Sequence, residues 1–300
     1  MQITKVFQSK NLSRDKILLR EAVSGMRVSE PSGSMAWQLR SEGLVVSAYE
    51  SGKIVIQGKN TDEVEKILQK LDVRQDTSDD SFTSHIGVDE AGKGDYFGPL
   101  VVSAVLVESQ ELSRELVNMG VRDSKKVSDS TAIDLRSSIL ETCKFTSTVV
   151  ISPKEYNKKY KNYRNVNKLL AWGHAQSIEN ILEDTKLKER PSKVVIDQFA
   201  KSESRILDAL MTNGKKLEID QRHGGEEDIA VAAASIVARG RFLLELEKMR
   251  SKYGLSFPKG ASDVVSFGKE FIKKYGIKEL DDVAKISFRT TLKITSTFDI

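Results

Sequence analysis

The chain has 300 residues, a mass of 33.5 kDa and a formal net charge of +4 at pH 7. Hydrophobic residues make up 39% and charged residues 30%, so a core can form and global disorder is excluded. No apolar run reaches the ~18 residues that a membrane-spanning helix needs, and the first residues lack the apolar segment of a secretory signal. The single cysteine, Cys143, excludes an internal disulfide and a multi-thiolate metal site. We therefore expect a cytoplasmic protein with no membrane partner.

The first 74 residues predict a small α/β domain with a curved antiparallel sheet. The pattern predicts a first helix capped by Ser13, whose apolar face holds Ile17, Leu18, Ala22 and Val23. Three short runs, AWQL, VVSAY and KIVIQG, are separated by the turns SEG and ESG, which indicates a meander of strands. A second helix begins at Thr61 and carries Val64, Ile67, Leu68 and Leu71 on one face.

This segment is mildly basic, with 12 Lys and Arg against 9 Asp and Glu in residues 1–74. Two interpretations stay open: an accessory or oligomerisation domain, and a platform for nucleic acid. In the second case the candidate phosphate contacts are Lys5, Lys10, Lys53 and Lys59. Residues 75–84 are polar and lack the apolar period of a helix or a strand, so they predict a linker.

From residue 85 onward the chain alternates strands and helices, which predicts one α/β domain over residues 85–300. The predicted strands are HIGVD, GPLVVSAVLV, FTSTVVIS, KVVID and KLEID. The predicted helices cover 129–141, 165–183, 202–213, about 228–250, 262–275 and the residues after 278.

Acidic residues follow several of these elements. Asp89 and Glu90 end an apolar strand before a glycine-rich turn, and Asp197 ends the strand KVVID. A third group, Glu226, Glu227 and Asp228, precedes the helix that begins IAVAAAS, whose small side chains allow close packing on the sheet. Each acid alone is compatible with a solvated turn or a helix cap. Together, with only 3 histidines and 1 cysteine in the chain, they favour Mg²⁺ or Mn²⁺ over zinc.

The glycine-rich turn itself does not predict a nucleotide-binding loop. Residues 87–94 read G-V-D-E-A-G-K-G, and a Walker A loop requires Ser or Thr where Gly94 stands. Two carboxylates inside such a loop would also repel the phosphates. We therefore expect no nucleotide cofactor, and we expect the glycines to let the backbone approach a sugar-phosphate closely.

The segment D-E-A-G-K-G-D-Y-F-G-P at 89–99 resembles the first motif of type 2 ribonucleases H, and its ending is similar to the ribonuclease HIII branch. Further similar motifs follow in order: R-D-S-K-K at 122–126, Y-N at 156–157, N-x-N-x-L-L-A-W-G-H at 165–174, V-I-D-Q-F at 195–199, A-V-A-A-A-S-I-V-A-R at 230–239 and P-K-G-A-S at 258–262. The resemblance implies a ribonuclease H-like catalytic domain, with a mixed sheet flanked by helices, at 85–300. It also implies a TATA-binding-protein-like, substrate-binding domain at 1–74.

Residue by residue, the resemblance implies that the catalytic and metal-binding carboxylates are Asp89, Glu90, Asp197 and Glu226. The last position rests on counting nine residues back from Ser235, and Glu227 and Asp228 stay open as alternatives. The family often has Asp there. Relatives often carry a histidine where this chain has Ser287, so no catalytic histidine is transferred.

Several positions are predicted to contact the substrate, namely Gly92, Lys93, Gly94, Ser124, Lys125, Tyr156 and Asn157. Backbone groups of the Gly-Lys-Gly turn are suited to reading a ribose 2′-hydroxyl, and the lysines to meeting phosphates. The stretch at 154–168 interleaves basic residues with Tyr156, Tyr160 and Tyr163, which indicates either base stacking or a solvated basic helix. His174 by itself predicts a packed or surface residue more than a ligand.

The resemblance implies a metal-dependent ribonuclease H that cuts the RNA strand of RNA–DNA hybrids, by two-metal-ion catalysis, leaving 5′-phosphate and 3′-hydroxyl ends. It further implies a monomer with a role in DNA replication and repair. Two alternatives stay open: ribonuclease HII-like excision at single ribonucleotides in duplex DNA, and a non-catalytic protein that binds hybrids.

Overall fold

A computed structural model describes residues 3–9, 11–23, 25–29, 35–50, 52–58, 61–70, 74–75, 82–197, 209–222, 224–261, 264–296 and 298. The chain divides into two compact units, Met1–Phe82 and Thr83–Ile300. The first sheet includes a short strand at Arg74–Gln75, so it extends one residue past the predicted boundary at 74. Residues 76–81 of the predicted linker lie outside the described residues.

The N-terminal unit contains an antiparallel sheet of six strands in the order β2-β3-β4-β5-β1-β6. Its strands are β1 (Ile3–Gln8), β2 (Arg27–Ser29), β3 (Met35–Ser41), β4 (Leu44–Tyr49), β5 (Lys53–Gly58) and β6 (Arg74–Gln75). Its helices are α1 (Leu12–Ala22) and α2 (Asp62–Lys70). The predicted meander is confirmed as β3, β4 and β5, with α2 following it.

The start of this unit differs from the sequence prediction. Strand β1 precedes the first helix, and it is held by pairing with the distant β5, a contact that local periodicity does not reveal. The helix cap is Asn11, whose side-chain oxygen accepts the backbone N–H of Arg14 at 3.1 Å, and not Ser13. Leu19 of α1 and Val23, directly after the helix, are buried, whereas Ile17 is 57% exposed.

The C-terminal unit, which the sequence predicts to be the catalytic unit, is built on a mixed sheet of five strands in the order β11-β10-β7-β8-β9. The strands are β7 (His85–Ala91), β8 (Leu100–Val107), β9 (Thr146–Ile151), β10 (Lys193–Asp197) and β11 (Glu218–Arg222). Strands β7, β8 and β9 form an antiparallel meander, and β10 and β11 run parallel to β7. All five predicted strands and the mixed sheet are confirmed.

Helices surround this sheet. They are α3 (Gln110–Asn118), α4 (Asp129–Thr142), α5 (Pro153–Tyr163), α6 (Val166–Leu182), α7 (Ile229–Tyr253), α8 (Val265–Tyr275), α9 (Leu280–Val283) and α10 (Thr290–Thr295). The predictions for α4, α6, α7 and α8 are confirmed within three residues at each end, and α3 was missed. Most of the helix predicted at 202–213 lies outside the described residues. Within the described part of the chain, no helix is both long enough and apolar enough to cross a membrane.

Helices α6 and α7 cover opposite faces of the sheet. Successive residues of a strand alternate between its faces, so Val102 packs with the α6 residues of the main core, and Val101 packs with Phe242 of α7. The beginning of α7 approaches β7 very closely, because a Cβ atom on Gly87 would lie 2.0 Å from the carbonyl carbon of Ala230. This confirms the close helix-to-sheet packing expected from the small side chains at 230–234.

Candidate active site

Asp89 and Asp197 lie side by side at the same end of the sheet. Strand β10 is parallel to β7 with Ile196 opposite Val88, so the next residue on each strand is one of these two acids. Asp197 also raises the pKa of Asp89 by charge repulsion, which shows that the two carboxylates interact. The parallel pairing therefore brings together two acids that are far apart in the sequence, as the strand-end pattern predicts.

Asp89 lies in an electrostatically strained environment. Burial raises the pKa of its carboxyl, and the negative charges of Glu90 and Asp197 raise it further, to about 7. Two hydrogen bonds oppose this effect, one from the Ser235 hydroxyl and one from the Glu90 backbone N–H at 2.8 Å. The sheet thus holds a cluster of acids whose mutual repulsion a cation would relieve.

Glu90 is stabilised as an anion by two neighbouring side chains. Burial by itself would raise the pKa of its carboxyl, but the hydrogen bond and the charge of His174, together with Lys93, lower that pKa below its usual range. The Nε2 atom of His174 lies 3.0 Å from Oε2 of Glu90, and Nζ of Lys93 lies 3.4 Å from Oε1. Both carboxylate oxygens of Glu90 are therefore engaged by donors.

The turn that carries the predicted fourth carboxylate lies directly against Asp197. The backbone N–H of Gly225 donates to Oδ1 of Asp197 at 3.0 Å, and a Cβ atom on Gly225 would lie 2.7 Å from the Cα of Asp197. Glu226 follows in the same 3₁₀ turn, Gly225–Glu227, but its side chain lies outside the described part of the structure.

Of the two alternatives for the fourth carboxylate, Asp228 has a different role. Its side chain caps α7 by accepting the backbone N–H groups of Ala230 and Val231, and it also bonds Nε2 of His85 at 3.0 Å. Glu227 is exposed. The geometry therefore disfavours Asp228 as a member of the acidic cluster.

A cavity of about 190 Å³ opens beside Glu90 and Gly92. Its lining includes the acids Glu90, Asp95 and Asp129 and the cations Arg239 and Lys259, which both bond the carboxylate of Asp129, at 2.7 and 2.5 Å. Acidic and basic side chains thus lie around the same cavity. Such an arrangement suits a substrate that carries phosphates beside a metal site.

Of the predicted substrate residues of the first motif, Gly92 lines this cavity, and Lys93 and Gly94 follow it in the chain. Gly92 is buried with φ +87°, and a Cβ there would lie 2.2 Å from the carbonyl oxygen of Pro99, so only glycine fits this turn. Lys93 is partly exposed and bonds Glu90, and Gly94 is exposed. The main chain at 92–94 is therefore placed beside the acidic cluster.

The two predicted substrate residues of the D-S-K motif differ from each other. Lys125 is exposed, whereas Ser124 is buried and its hydroxyl lies 2.7 Å from that of Ser235. Because Ser235 also bonds Asp89, the Ser124 hydroxyl is linked to the acidic cluster through Ser235. Ser124 also lines the cavity beside Glu90 and Gly92, so its contact with the substrate stays a prediction.

The predicted contacts of Tyr156 and Asn157 with the substrate are contradicted by the structure. Both side chains are buried, with 2% and 4% exposure. The Tyr156 hydroxyl lies 3.3 Å from that of Ser287, and the Asn157 amide donates to the carbonyl of Ala284 at 2.8 Å. The basic stretch forms α5, and the apolar side of that helix, which packs on the core, carries both residues.

The sequence predicts that His174 is a packed or surface residue, and the structure confirms that it is packed, but the sequence does not reveal its contact with Glu90. The histidine is fully buried on α6 and contacts Glu90, although 84 positions separate the two residues. A histidine in the middle of an apolar helix is a weak signal, because the sequence does not reveal which strand end it faces.

The acids that could hold a metal are Asp89, Glu90 and Asp197, with Glu226 beside them in the chain trace. Among the side chains that the structure describes, no group of three His, Cys, Asp or Glu already has a metal-binding arrangement. The donor set nevertheless fits a hard cation, because it consists of carboxylate oxygens and because repulsion among them raises the pKa of Asp89.

Comparisons with known proteins agree with this architecture. The ribonuclease HII family profile matches residues 86–291. Ribonuclease HIII of Protochlamydia amoebophila is 36% identical over 283 residues, which cover 92% of this chain and 91% of that protein. Ribonuclease HIII of Chlamydia pneumoniae is 33% identical, with 98% and 97% covered.

Two solved structures are similar over nearly the whole chain. Bst-RNase HIII in complex with Mn²⁺ has a TM-score of 0.68 at 26% identity, covering 98% of this chain and 99% of that one. Aquifex aeolicus RNase H3 has a TM-score of 0.56 at 28% identity, covering 95% and 100%.

The mixed sheet and these matches define the class of the protein, a ribonuclease H with endonuclease activity. The similarity to ribonucleases HIII extends through the N-terminal unit as well as the catalytic one. The chain belongs to the ribonuclease HIII family.

Proposed function

We propose that this protein hydrolyses the RNA strand of RNA–DNA hybrids with the help of divalent cations. The observation that carries the proposal is the pairing of Asp89 with Asp197 at adjacent parallel strand ends, beside Glu90. Carboxylates clustered at the ends of strands are the usual ligands of ions that assist phosphoryl transfer. Endonuclease activity of the ribonuclease H type is common to the family. The hybrid substrate and the dependence on divalent cations are what we propose beyond it.

The proposed ligands of Mg²⁺ or Mn²⁺ are Asp89, Glu90, Asp197 and Glu226. The solved complex of Bst-RNase HIII with Mn²⁺ supports this choice of cation. When two such ions are bound, they supply an activated water and neutralise charge on the leaving oxygen. Attack of water on phosphorus with departure of the 3′-oxygen leaves 5′-phosphate and 3′-hydroxyl ends.

Recognition of the RNA strand is proposed for the turn at Gly92–Gly94. Distinguishing RNA from DNA requires contacts to the 2′-hydroxyl, and the backbone of this turn, which is exposed at Gly94, can make them without a side chain. Lys93 and Lys125 supply positive charge near this turn, which suits the flanking phosphates.

The N-terminal unit is proposed to bind the hybrid through the face of its sheet that the helices leave open. Along β3, Trp37 and Leu39 point into the core with α1 and α2, so Gln38 and Arg40 point to the other face. There the Gln38 side chain bonds the Ser47 hydroxyl at 2.8 Å and Nε of Arg40 at 2.8 Å. Gln38 and Ser47 are buried, whereas Arg40 is exposed, so Arg40 is the side chain of this group that is suited to meeting a phosphate.

The test is cleavage of a fluorescently labelled RNA–DNA hybrid with Mg²⁺ or Mn²⁺ and with a chelator. We expect metal-dependent cleavage with 5′-phosphate ends, and a loss of at least ~10³-fold in activity for Asp89→Asn and Asp197→Asn. Asp220→Asn is the matched control, because Asp220 is not one of the proposed ligands and its carboxylate bonds Lys193 at 2.8 Å. Wild-type activity in Asp197→Asn would remove that residue from the site.

The same assay separates the alternatives. Cleavage at a single ribonucleotide in duplex DNA, at a rate similar to that on the hybrid, would favour ribonuclease HII-like excision. Tight hybrid binding without cleavage under any metal condition would favour a non-catalytic binding protein. The cytoplasmic location and the monomeric state inferred from the sequence stay predictions.

A further inference from the structure

Lys285 is a buried lysine that the proposed chemistry does not use. Its side chain has 0% exposure, and its Nζ atom donates to the backbone carbonyls of Gly98 at 2.6 Å and Pro99 at 3.4 Å. Burial lowers the pKa of this lysine to about 7, although the charge of Asp95 acts in the opposite direction. A buried ammonium is costly, so its retention calls for a specific role.

The two carbonyls belong to the end of the first motif, directly next to the turn at Gly92. A Cβ atom on Gly92 would lie 2.2 Å from the carbonyl oxygen of Pro99, so the Pro99 peptide packs directly against that turn. Strand β8 begins at the next residue and pairs with β7, opposite Glu90 and Ala91. Lys285 therefore bonds the main chain at Gly98 and Pro99, against which the Gly-Lys-Gly turn packs.

The segment that carries Lys285 is fixed from a second side by Asn157. The Asn157 amide donates to the carbonyl of Ala284 at 2.8 Å and accepts the N–H of Ile286 at 3.0 Å, which brackets Lys285. The ring of Tyr156 lies 5.9 Å from Nζ of Lys285, within the range of a cation–π interaction. These contacts explain why Tyr156 and Asn157 are buried: both residues hold the segment that carries Lys285.

The backbone of this segment also pairs with the first motif. The N–H of Lys285 donates to the carbonyl of Tyr96 at 2.9 Å, and the N–H of Gly98 donates to the carbonyl of Val283 at 3.0 Å. The main chain thus provides the docking by itself, and the lysine side chain adds two hydrogen bonds directed at 98–99. The side chain thus contributes to the position of 98–99 beyond what the backbone pairing contributes.

We propose that Lys285 is a positioning residue, which holds the turn at Gly92–Gly94 in the conformation that binds the RNA strand. The proposal rests on the proposed function of that turn. Lys285 acts through the Gly98 and Pro99 carbonyls and does not touch the substrate. Loss of its side chain should therefore weaken binding of the hybrid more than it slows the chemical step.

The test is steady-state cleavage of the hybrid by the full chain with Lys285→Met, which replaces the ammonium by an apolar group of similar length. We expect the KM to rise about tenfold, with kcat changed less than about threefold. The salt dependence of the KM should be unchanged, because a buried lysine releases no phosphate counterions. Lys278→Met is the matched control, since it removes one exposed lysine just before the same segment.

Lys285→Gln keeps a hydrogen-bond donor at this position and should give an intermediate KM. A folded Lys285→Met protein with the wild-type KM would overturn the proposal, even if its melting temperature fell. Failure of both variants to fold would also overturn it, because Lys285 would then be needed for folding itself. The wild-type assay separates the two inferences: if the wild type does not cleave the hybrid, the proposed function fails first.

Discussion

His174 and Glu90 form a buried pair in which Nε2 of the histidine lies 3.0 Å from Oε2 of the glutamate. The lowered pKa of Glu90 makes it an anion at neutral pH, so the histidine nitrogen is the donor. Helix α6 thereby fixes one carboxylate of the candidate metal site in orientation. His174 is thus a positioning residue that acts through Glu90.

Replacing His174 by alanine should lower activity by about 10- to 100-fold, the usual cost of removing a group that orients a metal ligand. Part of this loss should appear as a higher Mg²⁺ or Mn²⁺ concentration for half-maximal activity, because the Glu90 carboxylate loses its donor and its pKa rises. A metal titration of the cleavage rate measures this effect. His174→Gln, which retains a donor, should recover part of the affinity; an unchanged titration in His174→Ala would contradict the assignment.

Asp89→Asn should stabilise the metal-free protein at pH 8. The pKa of Asp89 is raised from 3.8 to about 7, so the folded state binds this proton more tightly than the unfolded state does. The contribution of the carboxyl to stability is therefore present below pH 3.8 and is lost as the pH rises toward 7. Asparagine removes the repulsion, and we expect a melting temperature higher by roughly 2–4 °C for each kcal/mol gained.

Thermal unfolding in a chelator at pH 8 and at pH 4 measures this change, and the gain should shrink at the lower pH. Asp220→Asn is the control again, because Asp220 pairs with Lys193 and should give no such gain. If Asp89→Asn melts below the wild type at pH 8, repulsion within the acidic cluster is not the dominant effect at this position.

The His85–Asp228 pair should make stability depend on pH in a bell-shaped way. Burial lowers the pKa of His85, but the hydrogen bond and charge of Asp228 outweigh it, so the net shift is upward from 6.5. Burial raises the pKa of Asp228, yet His85 and the backbone N–H groups of α7 lower it overall from 3.8. The histidine contribution is complete below pH 6.5 and is lost as pH rises through its folded pKa. The aspartate contribution is complete above pH 3.8 and is lost as pH falls through its folded pKa.

The pair should therefore stabilise the fold most between about pH 4 and 6.5. Urea unfolding of the wild type and of His85→Gln measures the difference in free energy of unfolding. We expect this difference to be larger at pH 6 than at pH 8.5, because the histidine contribution is lost as the pH rises through its folded pKa. An equal difference at both pH values would exclude the ion pair as its origin.

Deleting residues 1–82, the N-terminal unit, should raise the KM for the hybrid strongly and reduce kcat less. The catalytic unit has its own core, so metal dependence and folding should persist. The salt dependence of hybrid binding should also become weaker, because phosphate contacts are lost. Of the candidate lysines, Lys53 is exposed, and the side chains of Lys5, Lys10 and Lys59 lie outside the described part of the structure.

Hybrid binding by anisotropy across a salt series, with circular dichroism of the truncated protein as a control, measures this effect. If the truncated protein binds as tightly as the full chain and with the same salt slope, the unit serves oligomerisation or stability instead.

The local sequence pattern was sufficient to predict the strands of the catalytic unit and the acids at their ends. Apolar runs of strand length end at Asp89 and Asp197, and parallel strands put their C-terminal ends at one edge, so the meeting of these acids could be predicted. The small residues at 230–234 likewise predicted the close packing of α7 on β7. These features are readable because periodicity, and the residue that breaks it, are local properties of the chain.

Tertiary structure alone decided which side chains support the site. Glu90 meets His174, Ser124 meets Ser235, and Lys285 meets Gly98 across separations of 84, 111 and 187 positions. The same holds for β1, which pairs with β5 and not with its neighbours in sequence. One sequence cannot state such partners, because a buried polar side chain is satisfied by whichever distant group the packing of helices on the sheet brings within hydrogen-bonding distance.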